Sequence, residues 1–129
     1  MRNLSPKVKT SSVLAPVAVT ATVSSSGIDT ADFGSNGFLV HVGAGTLDAT
    51  NKITPTMMEC DTLGGSYTQV ADADIYQGAP TPAVASSLVH LEYRGSKRFL
   101  KMKLVVAATV TNPCSVASIQ SHAELQPPL

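Results

Sequence analysis

Three features of the 129 residues predict an all-β chain, folded as an antiparallel β-sandwich of jelly-roll-like character with an extended N-terminal arm. No stretch longer than a few residues spaces its apolar side chains i, i+3, i+4, i+7, as an amphipathic helix requires. Several stretches instead alternate apolar and polar residues and are rich in Val, Thr and Ile, the pattern of a strand with one buried face. Clusters of Gly, Ser, Asp and Pro separate them at short intervals and leave no room for a βαβ crossover helix. The length suits one domain. With 43% hydrophobic and 14% charged residues, that domain can fill a core, and its surface is sparing in charge.

Residues 1–16, polar and basic with Pro6 and Pro16 as brackets, read as an arm outside the sandwich, and residues 17–129 as the sandwich domain. "VAVTATV" (17–23) is the first expected strand, with Val17, Val19, Ala21 and Val23 on one face. A long Ser/Gly/Asp connection leads to "FLVHV" (38–42), which aligns Phe38, Val40 and Val42. "ITPTMMEC" (53–60) is next, and Pro55, which has no N–H for a ladder, places it at an edge or a bulge. The glycines of "DTLGGS" supply a tight reversal, after which "YTQV" returns beside it. "VASSLVHLEY" turns Val89, Leu91 and Tyr93 inward, and "RFLKMKLVVA" does the same with Leu100, Met102, Leu104 and Val106, so that Lys101 and Lys103 point outward. "RGSK" is the turn between these two strands. "TNPC" makes another turn before "SVASIQSHAEL", where Ala117, Ile119, Ser121 and Ala123 align as the apolar set. The tail "QPPL" cannot extend a central strand.

Residues capable of chemistry are scattered. His41, His90 and His122 fall on three separate strands, each opposite its strand's apolar set, with no H-x-x-x-H or C-x-x-C spacing, so no metal site is expected. "ADADI" (71–75) lacks the downstream ligands of a calcium loop and reads as a turn capped by Asp72 and Asp74. There is no G-x-S-x-G elbow and no phosphate-binding loop. Cys60 and Cys114 are isolated thiols at strand ends; they read as packing residues, reduced in an intracellular setting. The apolar stretch after the basic start is interrupted by Pro16, Thr20 and Thr22, so no secretory leader is expected. The run from Leu104 to Val110 is far too short to span a bilayer. No catalytic residue, cofactor or membrane contact is expected.

Charge is the feature that asks for a partner. Nine basic and nine acidic residues cancel, which argues against a dedicated nucleic-acid binder. Yet seven acids lie between Asp29 and Asp74, while the bases cluster early, at Arg2, Lys7 and Lys9, and late, at Arg94, Lys97, Arg98, Lys101 and Lys103. If the fold keeps those regions apart, the molecule carries a dipole. These eight basic residues are the expected partner-binding set. The bland alternative is a solvated hairpin face.

"VADADIYQG" followed by "LEYRGSKRFLKMKLVV" resembles a family of small phage proteins encoded near the major capsid gene. Many of them show a strand ending in Glu-Ser-Asp, a Gly/Ser hairpin, "DVADADL-G" and then "Y-GSKRYVRV", and the likeness here runs from about Val17 to Ala117. Cys60 stands where Ser is usual, and the "TLGG" turn is slightly longer. The resemblance implies a virion structural protein: a head decoration or cement protein, assembled in the bacterial cytoplasm and seated on the outer surface of the capsid. Its partners would be the major capsid protein and neighbouring copies of itself, as a homodimer, without direct contact to nucleic acid. A neck or tail component such as a terminator or adaptor is the alternative, because fold does not determine place in the particle. A carbohydrate-binding module is less favoured, since the chain has three Tyr, three Phe and no Trp to line a sugar groove.

Overall fold

In the computed structural model, which describes residues 8–45 and 47–123, two antiparallel sheets enclose one hydrophobic core. The first sheet has the order β1-β9-β4-β7, from β1 (Val8–Val19), β9 (Asn112–Ala123), β4 (Phe33–Val42) and β7 (Ser87–Tyr93). The second has the order β2-β8-β5-β6, from β2 (Val23–Ser24), β8 (Phe99–Ala107), β5 (Lys52–Cys60) and β6 (Thr68–Gln69). β3 (Ile28–Asp29) continues the edge that β2 begins, pairing with β8 at Leu100 and Phe99. Among the described residues only β5 and β6 form a hairpin. Apart from the step from β2 to β3, every other connection crosses between the sheets.

The alternation read in β4, β7 and β8 is the one the core uses. Phe38, Val40 and Val42 of β4, Ile53 and Met57 of β5, and Leu100, Met102 and Leu104 of β8 have no exposed surface. Leu91 and Tyr93 of β7 join them, with Val89 packed alongside. Gly64, at φ 76°, and the bond from Gly65 N–H to Thr62 O turn the chain back into β6. Pro55 sits where its missing N–H costs nothing. Its neighbours of the same parity, Ile53 and Met57, aim their carbonyls away from β8, at Ala83 N–H (2.9 Å) and Val70 N–H (3.0 Å). Pro55 therefore faces the unladdered side of β5, as an edge position allows.

Four expectations change. Residues 8–16 do not lie outside the sandwich: they belong to β1, whose register runs from Val8↔Ser121 to Val19↔Asn112. The boundary of the arm at residue 16 is thus misplaced, and residues 1–7 lie outside the described residues. Pro16 is absorbed because β1 is an edge strand whose register shifts between Leu14 and Val17. The strand read over 17–23 breaks at residues 20–22, where β1 leaves the first sheet and β2 enters the second. "RGSK" turns the chain, but β7 and β8 belong to different sheets, so there is no hairpin. In β9 the inward set is Cys114, Val116, Ser118 and Gln120, the opposite parity to the one expected.

Both flanks of the sandwich are stitched shut. On one, Ser25 N–H donates to Met102 O and Ser26 N–H to Val13 O, both at 2.8 Å, joining β8 to β1. On the other, a 3₁₀ turn at Asp72–Asp74 and the bridge Ile75↔Tyr93 lay the 71–84 segment along β7. Tyr76 N–H reaches Glu92 O (2.9 Å), and Arg94 N–H reaches Asp74 O (2.7 Å). The same segment closes onto β5 through Ala83. Exposed strand edges invite pairing with other chains, and these segments cover them.

Candidate functional site

Antiparallel crossing brings many chain segments to one end of the sandwich: the starts of β1, β4 and β8, the ends of β5, β7 and β9, and β3. There the expected separation of charge disappears. Arg98 grips Asp29 through Nε (2.9 Å) and Nη2 (2.8 Å), and Lys97 Nζ meets Asp61 Oδ2 at 2.7 Å. The Arg98 guanidinium first, and the Ala31 N–H second, hold the Asp29 carboxyl below its ordinary range. Asp61 raises Lys97 in return. Both ion pairs are exposed, so each contributes little stability. What they do is consume charge that a partner would otherwise meet.

Beneath them the Tyr93 hydroxyl donates to Glu59 Oε1 (2.6 Å) and accepts from Lys97 N–H (2.9 Å), linking β7, β5 and the 94–98 turn. Burial first and Glu59 second push the Tyr93 pKa well above that of a free tyrosine. A cleft of about 350 Å³ opens beside this group between the 30–36 and 93–97 segments. Lys9 stands at the same end, 5.9 Å from the Phe33 ring centroid. Arg94 lies 5.3 Å from that of Tyr76. These are cation–π contacts that leave the charge accessible. Arg2 and Lys7 lie outside the described residues.

Lys101 and Lys103 are elsewhere. Alternation along β8 turns them onto the outer face of the second sheet, where Lys101 Nζ lies 4.5 Å from the Tyr67 ring centroid. Lys103 borders a shallow groove of about 370 Å³ with Thr54, Thr56, Met58, Gln69 and Pro80. Across the ladder Lys103 is opposite Thr56 and Ser24. Lys52, opposite Ala107, shares the parity of Thr54 and Thr56 and adds a third ammonium to this face. Reading the sequence missed Lys52, although it stands one place before "ITPTMMEC" in the same outward set. Among the described residues of these strands the acid on that side is Asp29, at the margin and held by Arg98. One basic run in sequence thus becomes two sites in space: an end where Lys97 and Arg98 are ion-paired, and a lysine-bearing face.

Among the described residues no three His, Cys, Asp or Glu side chains converge as metal ligands. His41 and His90 are exposed on the outer face of the first sheet, as their parity predicts; the His122 side chain lies outside the description. Cys60 and Cys114 are both buried, at opposite ends of the sandwich, too far apart to pair. Burial raises the Cys114 thiol pKa, the environment of an inert core cysteine. Among the described residues no helix is long and apolar enough to cross a membrane. Compared with known proteins, the chain matches no family model, no curated sequence and no solved structure.

Proposed function

We propose that this is a structural protein of a bacteriophage virion, a head decoration or cement protein that binds the outside of the capsid and clamps neighbouring major capsid subunits. The observation that carries the reading is the outer face of the second sheet, where Lys52, Lys101 and Lys103 project among Thr54, Thr56 and Met58 with no unpaired carboxylate between them. Such a face is built to lie on an acidic protein surface. The family-like motif supports the same reading. Its two halves, "VADADIYQG" and "LEYRGSKRF", are separated by residues 79–90 but meet through the Ile75↔Tyr93 bridge and the Tyr76 and Arg94 backbone bonds. Strand order supports it too. With β2 and β3 counted as one interrupted strand, the first, eighth, third and sixth strands make one sheet and the second, seventh, fourth and fifth the other, as in a jelly roll of two Greek keys.

Mechanically, each copy contributes a contact of about 800 Å² per partner. Repetition over a lattice makes many such contacts persistent, because bridged copies cannot all release together. Held in register, neighbouring subunits resist the pressure of packaged DNA. Densitometry of purified virions tests the reading: a ratio near one copy per major capsid protein is the expected result. A handful of copies per particle would favour the neck or tail alternative, and absence from the particle would reject both.

A further inference from the structure

The lysines of the second sheet stand along a groove, at the spacing of an extended chain. We infer that this groove takes an extended acidic segment of a partner protein, with carboxylates at alternate positions. The inference rests on the reading of the second sheet as the docking face and adds the form of what that face grips. Thr54, Thr56 and Met58 line the groove from β5, Lys103 and Val105 from β8, and Pro80 from the 71–84 segment. Thr56 faces outward yet is 6% exposed, so the floor lies below the rim. Lys101 and Lys103 leave the same side of β8 with one residue between them, about 6.8 Å apart at the backbone. An extended partner repeats by the same length every second residue, so its positions i and i+2 meet the two ammoniums in step. At the level of i+4 the ladder pairs Thr54 with Val105 and presents no charge, which suits an apolar side chain. At the level of i+6, Lys52 lies opposite Ala107 and supplies a third ammonium.

Three considerations select an acidic protein segment as the occupant. The first is charge. Glu59, the acid of β5, is turned to the other side, where it accepts from the Tyr93 hydroxyl at 2.6 Å, and Asp29 at the margin is held by Arg98. The ammoniums of this face are therefore left to a partner of opposite sign. The second is the support beneath Lys101. Its Nζ lies 4.5 Å from the Tyr67 ring centroid, and the Tyr67 hydroxyl comes so near Gly27, on the far side of β8, that a Cβ there would meet it at 2.6 Å. The ring thus bridges this end of the sheet and holds the ammonium in place while leaving its charge accessible. The third separates peptide from nucleic acid. A single nucleic-acid strand also repeats its charge, but it is gripped by rings that stack on its bases, and the Tyr67 ring is already covered by Lys101. Segments 23–28 and 71–84 cover the flanks, so the segment is read by side chains across the face rather than by joining a sheet edge.

A fluorescein-labelled heptapeptide, Glu-Thr-Glu-Thr-Val-Thr-Glu, titrated with the full chain and followed by anisotropy, tests the inference. The peptide should bind at about 20 mM salt and about tenfold more weakly at about 0.2 M, because its exposed ion pairs are screened. A peptide of the same composition with its acids adjacent should bind about fivefold more weakly than the alternating one, since its carboxylates fall out of step with Lys101 and Lys103. Lys103→Gln should weaken the alternating peptide about fivefold, whereas Lys97→Gln, whose ammonium Asp61 already holds, should not. Both variants should unfold at the temperature of the parent. Failure of the alternating peptide to bind, equal affinity for the two peptides, indifference to Lys103→Gln, or tighter binding of a single-stranded oligonucleotide of equal charge would overturn the inference. Capsid attachment that is lost on reversal of Lys101 and Lys103, in a protein that ignores the peptide, would overturn this inference and leave the docking face standing. Peptide binding by a protein absent from virions would do the reverse.

Discussion

Tyr93 shows how much one side chain can join. Sequence alternation alone turns it inward, but only the fold brings its hydroxyl to Glu59, 34 positions away, and to the Lys97 N–H. Tyr93→Phe keeps the ring and leaves both partners wanting, which should cost about 1–2 kcal/mol in denaturant unfolding. An unchanged midpoint would mean that water replaces the hydroxyl without loss. The raised pKa also has a pH signature. Tyrosine is neutral when protonated, and its ordinary pKa is 10.0. Because the folded value is higher, this contribution is complete below pH 10 and is lost as pH climbs toward the folded pKa. Unfolding free energy should fall above pH 10 in the parent and fall less steeply in Tyr93→Phe; equal slopes would detach Tyr93 from the alkaline limb. Ser118 is the counterexample. It is fully buried in β9, and among the described residues its hydroxyl finds no partner, a detail that no sequence pattern signals.

β1 and β9 are the elements most changed by the fold. A basic, proline-bracketed start reads as an appendage, yet Val8 to Ser12 pair with Ser121 to Ala117, and Val13 is buried. Removing residues 2–7 leaves β1 whole and should shift the melting temperature little. Removing residues 2–12 exposes one edge of β9 and should lower it by several degrees, about 4–8 °C for each kcal/mol in a small domain. Equal melting of the two truncations would return residues 8–12 to an arm. Alternation points β9 the wrong way because its outward residues include Ala117 and Ile119, while its inward ones include Ser118 and Gln120. Gln120 is tolerated inside because its Nε2 reaches Asn36 Oδ1 (2.8 Å) and Asp29 O (2.9 Å), tying the two sheets together. Such partners come from distant segments, so hydropathy alone assigns the wrong face.

For the molecule as a whole, the two outer faces differ in chemistry, and the docking proposal rests on that difference. Net charge is zero, yet lysine is concentrated on one sheet, and β4, β7 and β9 of the other contain none. Lys101→Glu combined with Lys103→Glu should weaken attachment to capsids and reduce its salt dependence, because exposed charges are screened within about 10 Å at 0.1 M salt. Reversal of Lys97 should do less, since Asp61 already holds that ammonium. If the Lys101/Lys103 double reversal attached as well as the parent at every salt concentration, the second sheet would not be the docking face.

The sequence by itself determined the all-β class, the inward sets of β4, β7 and β8, and the outward direction of Lys101 and Lys103, because alternation along a strand is a local property. Tertiary structure alone decided which strands share a sheet, that Arg98 meets Asp29 across 69 positions, and that polar Gln120 belongs inside. Each of these depends on a partner brought from elsewhere in the chain, and a strand's own pattern contains no record of its neighbours.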